Sequence, residues 1–176
     1  SLIFMPIFGM NNGLVPIIAY NYGAQKRSRM MEAMKISISI AAGIMVVGTA
    51  LFLLIPDKLL SIFITNATAD EINILMKIGK PALRIICSHF VFAAISISFN
   101  AVFQALGKGK YAMITSICRQ LVILLPVAFV LARIGFASGN DNLVWLSFPI
   151  AEIGSLIVST LLFRKLNRNL ISKVRD

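Results

Sequence analysis

Acidic residues are scarce in this sequence. Seven Asp and Glu stand against seventeen Lys and Arg in 176 residues, and residues 1–22 carry no charge of either sign. Histidine occurs once and cysteine twice, and they form no His, Cys and carboxylate cluster with metal-ligand spacing. Cys87 and Cys118 form no CxxC pair and lie within apolar runs, where a reduced thiol packs as a small hydrophobe. No nucleophile has an evident base and no glycine-rich run has the phosphate-cradling pattern; Gly107-Lys108-Gly109-Lys110 is a turn, not a P-loop. No enzyme and no cofactor are expected. The net charge of +10 comes without the basic, aromatic motif of nucleic-acid modules, so no nucleic-acid partner is expected either.

What is abundant is apolar. Hydrophobic residues make up 58% and charged residues 14%, with a mean hydropathy of +0.86, whereas soluble domains are about 25% charged. The expectation is an all-α integral membrane protein with five transmembrane helices, at residues 1–22, 36–55, 85–106, 111–132 and 143–163, and a basic tail at 164–176. Each run is long enough for a hydrocarbon core of ~30 Å at ~1.5 Å per residue. Pro6 and Pro16 remove backbone donors from the first, which points to a kinked helix in a bundle rather than a plain anchor. Ser37, Ser39, Ala41, Ala42, Gly43 and Gly48 along the second allow close helix packing. Residues 58–65 are too short to span and read as an interfacial piece. Residues 70–80 begin a helical pattern, with Thr68 or Asp70 as cap and Ile72, Leu75, Met76 and Gly79 on one face. Pro126 kinks the fourth span, and residues 135–142 form a polar turn. Ser1 in place of Met, with no charged leader, leads to the expectation of a piece of a longer polypeptide.

Five spans alternate the faces on which connectors emerge. Residues 24–35, 107–110 and 164–176 carry eleven Lys and Arg, against Lys58, Lys77, Lys80, Arg84 and Arg133 on the other side. The positive-inside rule then places the C-terminus in the cytoplasm. Membrane lipid is a partner in either orientation, and the basic tail reads as a topological signal before an anionic-lipid site.

Gly13, Pro16, Tyr20-Asn21-Tyr22-Gly23-Ala24 and Arg29 at this spacing resemble a signature of the multidrug and toxic compound extrusion (MATE) family, of the MOP superfamily. Gln104-Ala105-Leu106-Gly107-Lys108, then Arg119-Gln120, then Phe148-Pro149-Ile150-Ala151-Glu152 after Trp145, resemble later helices of the same family. The resemblance implies most of the second of two six-helix lobes, without its first helix and without the N-terminal lobe of the same polypeptide. It implies a secondary active efflux transporter of the cell membrane, exporting small organic cations or other amphipathic toxic compounds by Na+ or H+ antiport with alternating access. Some members carry an acid in the helix corresponding to residues 85–106, and none is present here. Two alternatives remain: a lipid-linked saccharide flippase of the same superfamily, which would need more intramembrane cation than Arg119 alone, and a non-transporting membrane scaffold subunit.

Glu152 is the only carboxylate inside an expected span, tenth of its twenty-one residues. At that depth an acid costs ~2.5–3.5 kcal/mol, which marks a cavity, a partner or an ion path. It is the ion-coupling candidate, the other reading being a charge balanced to hold helices together. Arg119 lies within ~5 Å of the same height on the preceding span by helical rise. It either pairs with Glu152 or snorkels to the headgroups. Tyr20, Asn21, Asn100, Gln104 and Gln120 are the substrate-cavity candidates, with interhelical hydrogen bonds as the alternative role. His89 reads as a packed or interfacial residue rather than a proton carrier. Met and Phe serve as packing residues that also suit an adaptable pocket.

Overall fold

The computed structural model describes residues 2–62 and 68–174, and the regular elements among them are all helical. Helix α1 (Met5–Gly23) follows a 3-10 turn, α2 spans Arg27–Leu54, and a short α3 (Pro56–Ser61) leads to α4 (Ala69–Cys87) and α5 (Phe90–Ala105). A continuous rod, Gly109–Ser138, contains α6 (Gly109–Ile117), a π-helical segment (Cys118–Leu124) and α7 (Leu125–Ser138). After a 3-10 stretch, Asp141–Leu146, α8 runs Ser147–Asn169. Residues 63–65 of the expected interfacial piece, and residues 175 and 176 of the tail, lie outside the described residues.

Helices outrun the apolar runs that announced them. α2 starts nine residues before the expected span at 36, because Arg27, Arg29, Glu32 and Lys35 are good helix formers that continue the rod beyond hydrocarbon. The broad basic connector shrinks to Ala24, Gln25 and Lys26, with Gln25 in the left-handed region at φ 56°. The expected span at 85–106 is two helices bent by 53°, broken at Ser88 and His89. Thr68 caps α4 in a capping box with Glu71, satisfying two free N–H groups at once. Residues 135–138 of the expected polar turn are helical. The chain turns at Gly139 instead, at φ 68°, where Asn140 N–H donates to the Gly135 carbonyl. The expected free tail is helix to Asn169, and beyond it Ile171 and Val174 are buried.

Arg27–Leu54, Gly109–Ser138 and Asp141–Lys173 are long and apolar enough to cross a membrane, and α4 with α5 makes a fourth crossing if the bent pair is one broken span. Against the five spans expected, α1 is the one outside this set: Asn11, Asn12, Asn21 and two prolines dilute its apolar character. α1 instead packs on α2 and α5.

Two apolar clusters hold the bundle. One joins Leu14, Ile18, Met30, Phe103, Leu106, Leu166 and Ile171. Met30, Leu106 and Ile171 lie near three different helix ends, so the connectors at 24–26 and 106–108 and the segment after α8 share one end of the bundle. The other cluster joins Ile7, Ala41, Met45, Cys87, Phe90 and Ala94. The buried face of α2 is Met30, Met34, Ser37, Ala41, Met45 and Gly48, a helical stripe whose small members let α1 approach.

Candidate functional site

The site is built where α5, the π-helical segment and α8 meet. Phe99 of α5 stacks on Phe163 of α8 at 4.7 Å, fixing those two helices. The π-helical segment approaches α8 closely at Gly154, where an added Cβ would stand 2.5 Å from Ile123 Cδ1. Pro126 explains the segment. Its ring clashes with the carbonyl of Val122 in a regular α-helix and it has no N–H to donate. Widening the preceding turns relieves the clash, and Leu125 N–H donates five residues back to the Gln120 carbonyl. Arg119 and Gln120 sit in this widened stretch.

Arg119 Nη1 donates to Glu152 Oε2 at 3.3 Å. That is longer than the 2.7–2.9 Å usual for charge-assisted pairs, and the other carboxylate oxygen, Oε1, is buried without a hydrogen bond. Burial is asymmetric: the Glu152 side chain is 5% exposed and that of Arg119 32%. Ser96 of α5 places its buried hydroxyl beside the same carboxylate. A cavity of about 120 Å³ holds His89, Arg119, Gln120, Phe148 and Glu152 in its wall. His89 is 7% exposed and stacks on Phe148 at 6.5 Å, in the break between α4 and α5. It is packed, as its isolation in sequence implied, but packed beside the ion pair.

Arg119 also borders a second cavity of about 490 Å³, lined by Phe4, Phe8, Asn11, Asn12, Asn100, Gln104 and Ser116 among others. Thr115 Oγ1 donates to Asn100 Oδ1 at 2.6 Å. Asn11 makes only a long 3.5 Å contact to the Ile97 carbonyl and leaves its own Oδ1 buried and unpaired. The side-chain amides of Asn12 and Gln104, both exposed to the cavity, make no hydrogen bond among the described residues. Pro16, with no N–H, cannot make the α-helical donation to the Asn12 carbonyl four residues before it.

Of the sequence candidates, Arg119 with Glu152 and Asn100 with Gln104 are thus brought together, and Gln120 joins the smaller cavity. Tyr20 and Asn21 are not part of either: Tyr20 is 75% exposed, and the Asn21 amide donates to Ile17 of its own helix at 2.8 Å. Both sit in the last turn of α1, beyond the cavity. Asn11, Asn12 and Ser96 were missed. An Asn pair in mid-span, four residues before a proline, was the signal available for the first two.

The MatE family profile matches residues 1–130. The chain belongs to the MATE family. It is 30% identical over 146 residues to the multidrug export protein MepA of Staphylococcus haemolyticus (strain JCSC1435), covering 83% of this chain and 30% of that protein. MepA of Staphylococcus aureus (strain NCTC 8325 / PS 47) matches to the same extent. Among solved structures, the MATE multidrug transporter DinF-BH is 31% identical with a TM-score of 0.79, over 97% of this chain and 36% of that one. The inward-facing conformation of a multidrug resistance MATE family transporter of the MOP superfamily aligns with a TM-score of 0.84 at 22% identity, over 98% of this chain and 38% of that one. The chain therefore spans about a third of the length of these MATE relatives. MATE proteins are membrane transporters, not enzymes, and this chain is an integral membrane protein of that family.

Proposed function

We propose that this chain forms most of one lobe of a two-lobe MATE exporter, which moves small organic cations or amphipathic compounds out of the cell in exchange for Na+ or H+. The remainder of the polypeptide would supply the other lobe, and rocking of the two gives alternating access. The observation that carries the reading is the loose Arg119–Glu152 pair, which lines a small cavity while Arg119 also borders a larger, amide-lined one. Glu152 is the coupling group and Arg119 its competing internal cation. Among the described residues the larger cavity has no carboxylate in its wall, so a cationic substrate is held by amide oxygens and by the faces of Phe4 and Phe8.

Asn12 and Gln104 test the cavity, because neither is used to hold helices together. In full-length protein reconstituted into vesicles, Asn12→Leu with Gln104→Leu should weaken export of a fluorescent organic cation roughly five- to tenfold, at ~0.6 kcal/mol per lost hydrogen bond, while melting as the unmodified protein does. Unchanged transport would move the substrate elsewhere.

Orientation belongs to the same proposal: the end carrying Lys26, Lys108 and the segment after α8 faces the cytoplasm. In a variant lacking Cys87 and Cys118, a Ser138→Cys substitution should react with an impermeant thiol reagent in intact cells, and Ser172→Cys should not. Both positions are exposed, so the opposite labelling pattern would reverse the topology.

A further inference from the structure

The outer face of α8 is a single stripe. Ile150, Ile153, Ile157 and Leu161 recur at helical spacing, each 42–59% exposed, and extend ~17 Å along the axis at ~1.5 Å per residue. The next exposed turn on that face is Arg164, Lys165 and Arg168. With Leu161, these three line a depression of about 300 Å³. None of the three has an ion-pair partner among the described residues, where the salt bridges are Lys80–Asp57 and Arg119–Glu152. The depression lies where the apolar part of the helix ends, the position at which a spanning helix meets the polar headgroup region.

We propose that this face of α8 binds an anionic phospholipid, its phosphate and negatively charged headgroup in the Arg164–Lys165–Arg168 depression and an acyl chain along the isoleucine stripe. Charge selects the occupant. Three cations without a carboxylate favour a headgroup of net negative charge and disfavour a zwitterionic one, whose ammonium would enter the same positive field. A protein surface over this depression would have to bring carboxylates of its own to meet three cations, whereas an anionic headgroup carries the matching charge. Arg164 and Arg168 are one turn apart and present planar forks that match phosphate oxygens. The site stands apart from the proposed coupling pair, so failure of either proposal leaves the other intact.

The test is lipid exchange on the full-length transporter in mixed micelles, comparing phosphatidylglycerol with phosphatidylcholine. The unmodified protein should prefer phosphatidylglycerol. Arg164→Gln, Lys165→Gln and Arg168→Gln together should abolish the preference, weakening phosphatidylglycerol binding about a hundredfold at roughly fivefold per cation. Arg164→Gln alone should cost about fivefold, and Arg164→Lys with Arg168→Lys should retain most of the preference, which separates charge from misfolding. Inorganic phosphate at equal concentration should not displace the lipid, because it cannot use the stripe. Equal binding of the two lipids by the unmodified protein would overturn the proposal by showing no headgroup selection; displacement by inorganic phosphate would overturn it in favour of a free anion.

Discussion

Glu152→Gln in the full-length transporter should insert and fold, yet lose most of the dependence of export on an imposed ion gradient. Gln preserves the shape of Glu and removes its charge and its titration. The substitution leaves Arg119 without a counter-charge, but that side chain is 32% exposed and borders the large cavity, where water solvates it. Arg119→Gln is the harsher change, since it strands a carboxylate 5% exposed; breaking a buried pair from that side costs ~3–5 kcal/mol. Expression and melting temperature should therefore fall further for Arg119→Gln than for Glu152→Gln, and the double substitution should recover much of the loss with a coupling of ~0.5–3 kcal/mol. Stability is measured on purified protein and coupling in vesicles, so the two roles separate. Unchanged rate and pH profile in reconstituted Glu152→Gln would leave the residue a purely structural one.

Phe103→Ala should produce the largest loss of stability among single apolar substitutions at the connector end of the bundle. Phe103 is 0% exposed and meets Tyr111 edge-on at 5.8 Å, in the cluster that also holds Leu166 and Ile171. Removing a buried phenyl ring costs ~3–5 kcal/mol through lost contacts and the cavity left behind. In a membrane the lower end applies, because lipid is itself apolar and the cavity and contact terms dominate. Phe103→Leu, which keeps most of the volume, should cost under about 1.5 kcal/mol. Melting of the Ala variant with the unmodified protein would show that this end is held by lipid and not by packing.

Much of this protein is written in one dimension. Uncharged runs announce membrane helices because charge is expensive in hydrocarbon whatever the helix packs against, and the same cost makes Glu152 conspicuous without any structure. Arg119 was legible for that reason too, and its height relative to Glu152 followed from helical rise alone. The ordered pieces from Gly13 to Glu152 carried the family. Helix ends were less legible: Arg27 to Lys35 look like a connector by charge but are good helix formers, and Leu166, Ile171 and Val174 look like part of a polar tail until a core is present to bury them.

What the tertiary structure decided is azimuth, the direction in which each side chain leaves its helix. Successive residues turn by about 100°, and a π-helical segment resets that phase for everything beyond it. Pro126 announces a break in this span but not its geometry, and only the folded bundle shows Arg119, at the start of that segment, 3.3 Å from Glu152 and in the walls of two cavities at once. The same reason separates amides that sequence treats alike: Asn21 is spent on its own helix and Asn100 on Thr115, while Asn12 and Gln104 remain open to a ligand. His89 became part of the site only because α4 and α5 break there by 53° and turn its ring onto Phe148. Sequence determined that this is a membrane-embedded MATE bundle with one buried acid, because transfer free energy depends on residue type; packing decided what that acid faces, because direction depends on every helix around it.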